Sequence, residues 1–324
     1  MMRVWSAEWM YSPDGWLPDH EVCVDESGLV LNVQLRQPNT SRLPGCLLPG
    51  LVNAHTHSEL SHLRNLIPKG AGMVGFANLI IALRDTIPKP EREAAQRSSL
   101  EHAWQTGTQL IGDVCNELNQ DLSASFPQPA RHLFHEYLGA GADASRFDQQ
   151  IYDASLDLSP CPHAPYSVSD ELAQAIGRFC AHAGLPLSIH LLESEAEIDF
   201  CANRGGDFAE LFRKLSINLR SVAKSPLEFV INNIPSNVSL LAIHLIEAKE
   251  TDLLRLMYQF RRLHVCVCPR SSLNIHGKLP DLRSWRKLGL RICIGTDSLA
   301  SSPDLNLFSE MQLIQQAIPE LSLH

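Results

Sequence analysis

Eight short apolar stretches alternate with amphipathic ones from Leu47 onward, and polar residues gather at their ends, whereas a turn-rich texture precedes residue 47. Together these features predict an α/β protein, a (β/α)8 TIM-type barrel behind a small N-terminal β layer. With 324 residues, 44% of them hydrophobic and 19% charged, the chain can fill the core of one large domain and a small appendage. The expected division is a β domain over 1–46 and a barrel over 47–324.

In the N-terminal layer, strands are expected over Arg3 to Tyr11, Glu21 to Val24 and Leu29 to Leu35. Pro13-Asp14-Gly15 and Glu26-Ser27-Gly28 turn the chain between them. Barrel strands are expected over 47–55, Gln109 to Val114, Leu133 to Leu138, Leu156 to Cys161, Pro186 to Leu191, Val238 to His244, His264 to Cys268 and Leu290 to Gly295. Amphipathic spacing places helices at Glu91 to Thr106, Asp170 to Ala183, Ala196 to Asn203, Lys249 to Phe260 and Asp304 to Ala317. The competing architecture is an open doubly wound sheet, which here lacks any GxGxxG or GxxxxGK[ST] loop.

Composition narrows the function. A formal charge of −9 without a long Lys/Arg run excludes the clustered basic footprint of a nucleic-acid binder, so a small-molecule partner is expected. No stretch reaches about 18 uninterrupted apolar residues, and the first residues lack a leader's apolar segment, so no membrane association and a cytoplasmic location are expected. Nine cysteines without a CxxC pair suit reduced thiols. Cys266 and Cys268, beside His264, share one strand face and are read as core rather than as a soft-metal site.

A barrel gathers its chemistry at the C-terminal ends of its strands. There the chain carries His55-Thr56-His57, whose residues two apart point to the same side of a strand. The other strand ends supply Pro162-His163-Ala164-Pro165-Tyr166, His190 with Glu193 three residues on, His244, and Gly295-Thr296-Asp297. Singly, each has a bland reading: a satisfied structural histidine, or a helix cap. Five strand ends supplying imidazoles and carboxylates together fit a borderline divalent cation. His62, His102, His132, His135 and His182 lack that placement. Glu59 and Arg64, in the first loop, are candidates to reach a substrate.

These stretches resemble the amidohydrolase superfamily, in particular its branch of aminopurine deaminases and chlorohydrolases. The resemblance runs in order through Pro49 to His57, Pro162 to Ser167, His190 to Glu193, the His244 strand and Gly295-Thr296-Asp297-Ser298. It implies one zinc or iron ion held by His55, His57, His190 and Asp297, with no strand-four lysine to bridge a second ion. It also implies that His163 contacts substrate. A divalent cation lowers the pKa of bound water from about 15.7 towards 7. Asp297 would take a proton, His244 would orient the nucleophile, and Glu193 would shuttle a proton to a ring nitrogen and then to the departing amine.

Cys268 to Ile275, Lys278-Leu279-Pro280, Ser61 to Arg64, Gly72 to Phe76 and Gly295 to Ser302 resemble the aminodeoxyfutalosine deaminases of the alternative menaquinone pathway, where position 272 is more usually asparagine. In that setting Arg270 would grip a substrate carboxylate bidentately. Adenosylhomocysteine, methylthioadenosine or guanine deamination, triazine dechlorination and a catalytically silent binding role are the alternatives. The resemblance also implies a homodimer and further C-terminal strands that complete the small β domain. Without them the N-terminal layer would keep an open edge and exposed apolar surface.

Overall fold

The computed structural model describes residues 2–118, 127–152, 157–218 and 223–321. The described residues form two compact units, one ending at Leu51 and the other spanning Val52–Leu321.

The first unit is a five-stranded sheet. Its strands are β1 (Arg3–Ser12), β2 (Gly15–Pro18), β3 (His20–Val24), β4 (Val30–Leu35) and β5 (Arg42–Leu47), ordered β2-β1-β3-β4, with β5 also pairing with β1. Gly15, at φ +103°, supplies the left-handed conformation that the first hairpin needs. In the next turn, Asp25 Oδ1 accepts from Ser27 N at 2.8 Å and Leu29 N at 2.9 Å. Val30, Leu31, Val33 and Leu35 of β4 are exposed.

The apolar run read as a single strand over 47–55 is two: Leu47 closes β5, and β6 (Leu51–Thr56) begins after Pro49 and Gly50, which interrupt regular pairing. The unit boundary follows this break.

The second unit holds two four-stranded sheets. In one, β6 lies beside β7 (Thr108–Cys115), followed by β8 (Ala130–Tyr137) and β9 (Leu158–Pro162), with the last three parallel. In the other, β10 (Pro186–Leu191), β11 (Ser239–His244), β12 (Arg262–Val267) and β13 (Ile292–Ile294) are all parallel. Leu156, the expected start of β9, lies outside the described residues. Backbone hydrogen bonds link the sheets at both flanks: Thr296 N to His55 O at 3.0 Å, and His190 N to His163 O at 2.9 Å. Close approach explains two glycines. A Cβ on Gly295 would stand 2.8 Å from His55 O, and one on Gly112 would stand 2.5 Å from Ala54 O.

The helices are α1 (Gly72–Leu83), α2 (Lys89–Gln105), α3 (Asp170–Ala183), α4 (Glu195–Asn203), α5 (Gly206–Lys214), α6 (Pro226–Asn233), α7 (Glu250–Gln259), α8 (Pro269–Ile275), α9 (Leu282–Lys287) and α10 (Leu307–Ala317). α3 shows how sequence sets such an element. Ser169 caps the Leu172 amide, Asp170 and Glu171 sit at the positive end, Leu172, Ala173, Ile176 and Cys180 form the buried stripe, and Gly184 ends it at φ +70°. That stripe packs into the main core with Leu187, Ile189 and Leu191 of β10 and Val265 and Val267 of β12. The sequence reading missed α1, α5, α6, α8 and α9. α1 is apolar nearly all round, and the others have at most nine residues, too few for a period to emerge. Among the described residues no helix is long and apolar enough to cross a membrane.

Candidate active site

The C-terminal ends of β6, β10, β11 and β13 converge on one cluster. One ring nitrogen each from His55, His57 and His190 falls within 4.8 Å of the others. His57 Nε2 and His190 Nε2 are 3.2 Å apart. Two nitrogens each about 2.0–2.1 Å from one tetrahedral ion would stand about 3.3 Å apart, so this spacing suits a shared cation. Among the described residues neither nitrogen of His55 has a hydrogen-bond partner, although His55 is fully buried.

Asp297 completes the donor set. Its Oδ2 accepts from Ser271 Oγ at 2.6 Å and Ser301 Oγ at 3.1 Å, which leaves Oδ1 facing His55 Nε2 at 3.7 Å and His57 Nε2 at 3.9 Å. On the far side of its ring, His190 Nδ1 donates to the His163 carbonyl at 2.9 Å, so the Nε2 lone pair points into the cluster. The unpartnered His55 nitrogens, the convergent Nε2 atoms of His57 and His190 and the half-open carboxylate fit a divalent ion.

Electrostatics agree with that chemistry. Burial holds His190 down to about 3 and His163 to about 4, and it holds His57 well below its ordinary value; neighbouring imidazoles add to each effect. Neutral imidazoles are the ligating form. Burial alone would raise Asp297, yet His55 and its neighbours hold the carboxyl well below its usual range.

Glu193 stands beside the cluster, 3.6 Å from His244 Nε2 and 3.2 Å from His276 Nε2. Burial pushes its carboxyl up, but these imidazoles outweigh that and hold it at about 2. Glu193 is therefore ionised before any substrate arrives. Its backbone N–H donates to Glu197 Oε2 at 2.8 Å. Leu192, His244, Leu245 and Asp297 all have φ between +49° and +73°. Non-glycine residues held there are strained, and here the strain falls where strand ends deliver the site.

A cavity of about 300 Å³ opens on the cluster, lined by His57, His163, His190, Glu193, His244 and Asp297, with Met73, Phe76, Ile80, Phe208, Phe212 and other apolar side chains on its outer walls. Glu59 lines it too, with its pKa raised by burial to about 7 against the pull of the Asn116 N–H and Arg84. Arg64 does not; it lines a separate cavity with Ser61 and His102.

Arg270 is a correction. Its guanidinium is already committed, Nε to Glu310 Oε1 at 2.7 Å and Nη2 to Asp304 Oδ1 at 2.7 Å and to the carbonyls of Asp304 and Asn306. It borders a different cavity and has no free fork for a substrate carboxylate. The sequence reading also missed His276, Glu136, Asn116 and Arg84. His276 follows a helix, not a strand, so only the fold brings it to Glu193. Glu136 stood in plain view inside the third expected strand, two residues before its end.

Imidazoles and carboxylates converging at the ends of parallel strands are the layout in which metal-dependent hydrolases work. The chain belongs to the amidohydrolase family, whose pattern matches residues 46–318. It is 25% identical to an adenosine deaminase of Helicobacter pylori over 291 residues, 86% of this chain and 70% of that protein. It is also 25% identical to an aminodeoxyfutalosine deaminase of Nitratiruptor sp. over 284 residues, 82% of this chain and 66% of that protein. The chain thus spans about two thirds of these relatives' length. In fold it is similar to the crystal structure of Helicobacter pylori aminofutalosine deaminase in complex with methylthio-coformycin. The TM-score is 0.85 at 22% identity, covering 98% of this chain and 82% of that one.

Proposed function

We propose that the protein is a metal-dependent hydrolytic deaminase of an adenosine-like nucleoside, with aminodeoxyfutalosine as one candidate substrate. The observation that carries the reading is one cavity holding both halves of the chemistry: a convergent imidazole cluster with a carboxylate oxygen turned towards it, and an ionised, buried Glu193 beside it. In this reading the two sheets are halves of one (β/α)8 barrel, with the first unit as the small β domain.

His55, His57, His190 and Asp297 would hold one zinc or iron ion, which when bound lowers the pKa of a water from about 15.7 towards 7. The residues of the chain do the rest. Asp297 Oδ1 accepts a proton, and Ser271 and Ser301 fix its orientation. His244 aims the nucleophile. Glu193, starting ionised, takes one proton of the added water and gives it to the ring nitrogen beside the attacked carbon; the water's second proton, the one Asp297 accepts, passes through Glu193 to the leaving amine. Water adds, ammonia leaves, and a keto base remains. The apolar outer walls would house the substituent at the far end of the nucleoside.

The nine cysteines are unpaired, which supports a reducing, cytoplasmic setting. A small molecule is the expected partner and a homodimer the expected assembly.

The deciding experiment is ammonia release by zinc- and iron-loaded protein from adenosine, methylthioadenosine, adenosylhomocysteine, aminodeoxyfutalosine and guanine, with metal-free protein as control. Metal-dependent turnover of a nucleoside is expected, and no turnover by folded, metal-loaded protein would defeat the proposal.

A further inference from the structure

Glu136 is the penultimate residue of β8, its side chain is 5% exposed, and it lines the cavity that holds Glu193 and Asp297. Its Oε2 accepts from Asn116 Nδ2 at 3.1 Å. Its Oε1 has no hydrogen-bond partner among the described residues and lies 3.7 Å from His190 Nδ1. A buried carboxylate oxygen without a donor is costly, so a donor from outside the chain belongs there.

Water fills that role while the cavity is empty; of the ligands that would displace it, two kinds have suitable chemistry: a second cation or a donor group on the substrate. Glu136 does group with His163 and His190, their ligand atoms falling within 4.8 Å of one another. However, the Nδ1 that His190 turns to this side carries a proton, which it donates to the His163 carbonyl at 2.9 Å. His163 Nδ1 is occupied by Ser167 Oγ at 2.6 Å. One carboxylate and a single free imidazole nitrogen fall short of a cation's donor set. A substrate donor needs only the acceptor.

The chemistry of the base then identifies that donor. The ring nitrogens of adenine that lie on its edges all accept hydrogen bonds, and its one donor, the amine, must sit at the imidazole cluster to be displaced. Glu136 lies one imidazole ring away from that point, because His190 turns Nε2 to the cluster and Nδ1 to Glu136. The donors a nucleoside has left are its sugar hydroxyls, and a carboxyl oxygen with both lone pairs open accepts from an adjacent hydroxyl pair; burial raises the Glu136 carboxyl against the pull of His190 and Asn116, and such donors favour its charged form.

We propose that Glu136 receives the vicinal 2′ and 3′ hydroxyls of the nucleoside and makes the site selective for ribonucleosides over their deoxy analogues. The inference rests on the deaminase reading. A site built to bond a hydroxyl rejects a ligand that lacks it, because the carboxylate is then left unpaired.

The test pairs binding with turnover on zinc-loaded wild type, Glu136→Gln and Glu136→Ala. Calorimetry compares inosine with 2′,3′-dideoxyinosine, products that cannot react further, and ammonia release compares adenosine with 2′,3′-dideoxyadenosine. In wild type the ribose form should be favoured by about 10- to 100-fold in both assays. The gap should narrow in Glu136→Gln and vanish in Glu136→Ala, with zinc content and affinity for the dideoxy ligand unchanged. Equal losses for both ligands, a wild type without preference, or no binding of either inosine would overturn the inference. A hydroxyl-dependent binding gap without ammonia release would uphold it and defeat the deaminase reading instead.

Discussion

Two buried clusters of charge in the second unit were both read from sequence as ligand-binding, and they differ in one respect. Around Arg270 every charge is answered: Glu310 takes its Nε and backbone N–H, and Asp304 takes Nη2. Around His55 the polar atoms are left open: both its nitrogens, His244 Nδ1 and Glu136 Oε1 lack partners. A closed network fixes structure, whereas an open one at a cavity awaits a ligand. Residue type alone could not separate them, since both offer the charged groups a substrate would want.

The largest effect that could break this comparison is His57→Ala. It should reduce bound zinc or iron from about one equivalent per chain to none while the circular dichroism spectrum is retained. Full metal retention would show that the open cluster is not the ion's seat.

Next comes Glu193→Gln, expected to lower kcat for ammonia release by roughly 10²- to 10⁴-fold with metal content unchanged. An unaltered kcat would remove Glu193 from proton transfer.

The closed cluster should respond in stability instead. Arg270→Ala leaves Glu310, which is fully buried, without its cation, and burial already raises that carboxyl to about 7 against the pull of Arg270. Unfolding in urea should become easier by about 3 kcal/mol, and KM for carboxylated and uncarboxylated nucleosides should be unchanged. A selective rise in KM for the carboxylated substrate would restore Arg270 to the site.

The smallest effect sharpens the electrostatics. His190 is held down to about 3 in the folded protein, so below its ordinary pKa of about 6.5 the unfolded chain binds more protons than the folded one. Stability of metal-free protein should therefore fall as pH drops below that value, by up to about 1.4 kcal/mol per pH unit. Urea midpoints at successive pH values would show it, and a His190→Asn variant should have a shallower slope. Equal slopes would mean that His190 is protonated in the folded protein.

Much of the candidate site was legible because strand-end residues are local in sequence. His55-Thr56-His57 follows an apolar strand, and Glu193 follows His190 by three residues, so the pattern announces them. Glu136 was equally placed on its strand but was passed over beside louder histidines. His276 and Ser271 gave no such signal, because each reaches its partner across a long stretch of chain. The short helices α5 and α6 and the division between β5 and β6 escaped for a related reason: a period needs length to show, and one apolar run can serve two strands.

By itself the sequence determined the alternation of strands and helices, the strand-end histidines and carboxylates, and the family they belong to, because periodicity and nearest-neighbour spacing are written into the chain. Only the tertiary structure decided which charges are satisfied. It paired Arg270 with Glu310 and Asp304, set His276 against Glu193, and left Glu136 Oε1 and the nitrogens of His55 open. The physical reason is that the cost of burying a charge depends on what lies within about 3 Å of it in space, and sequence distance does not record that.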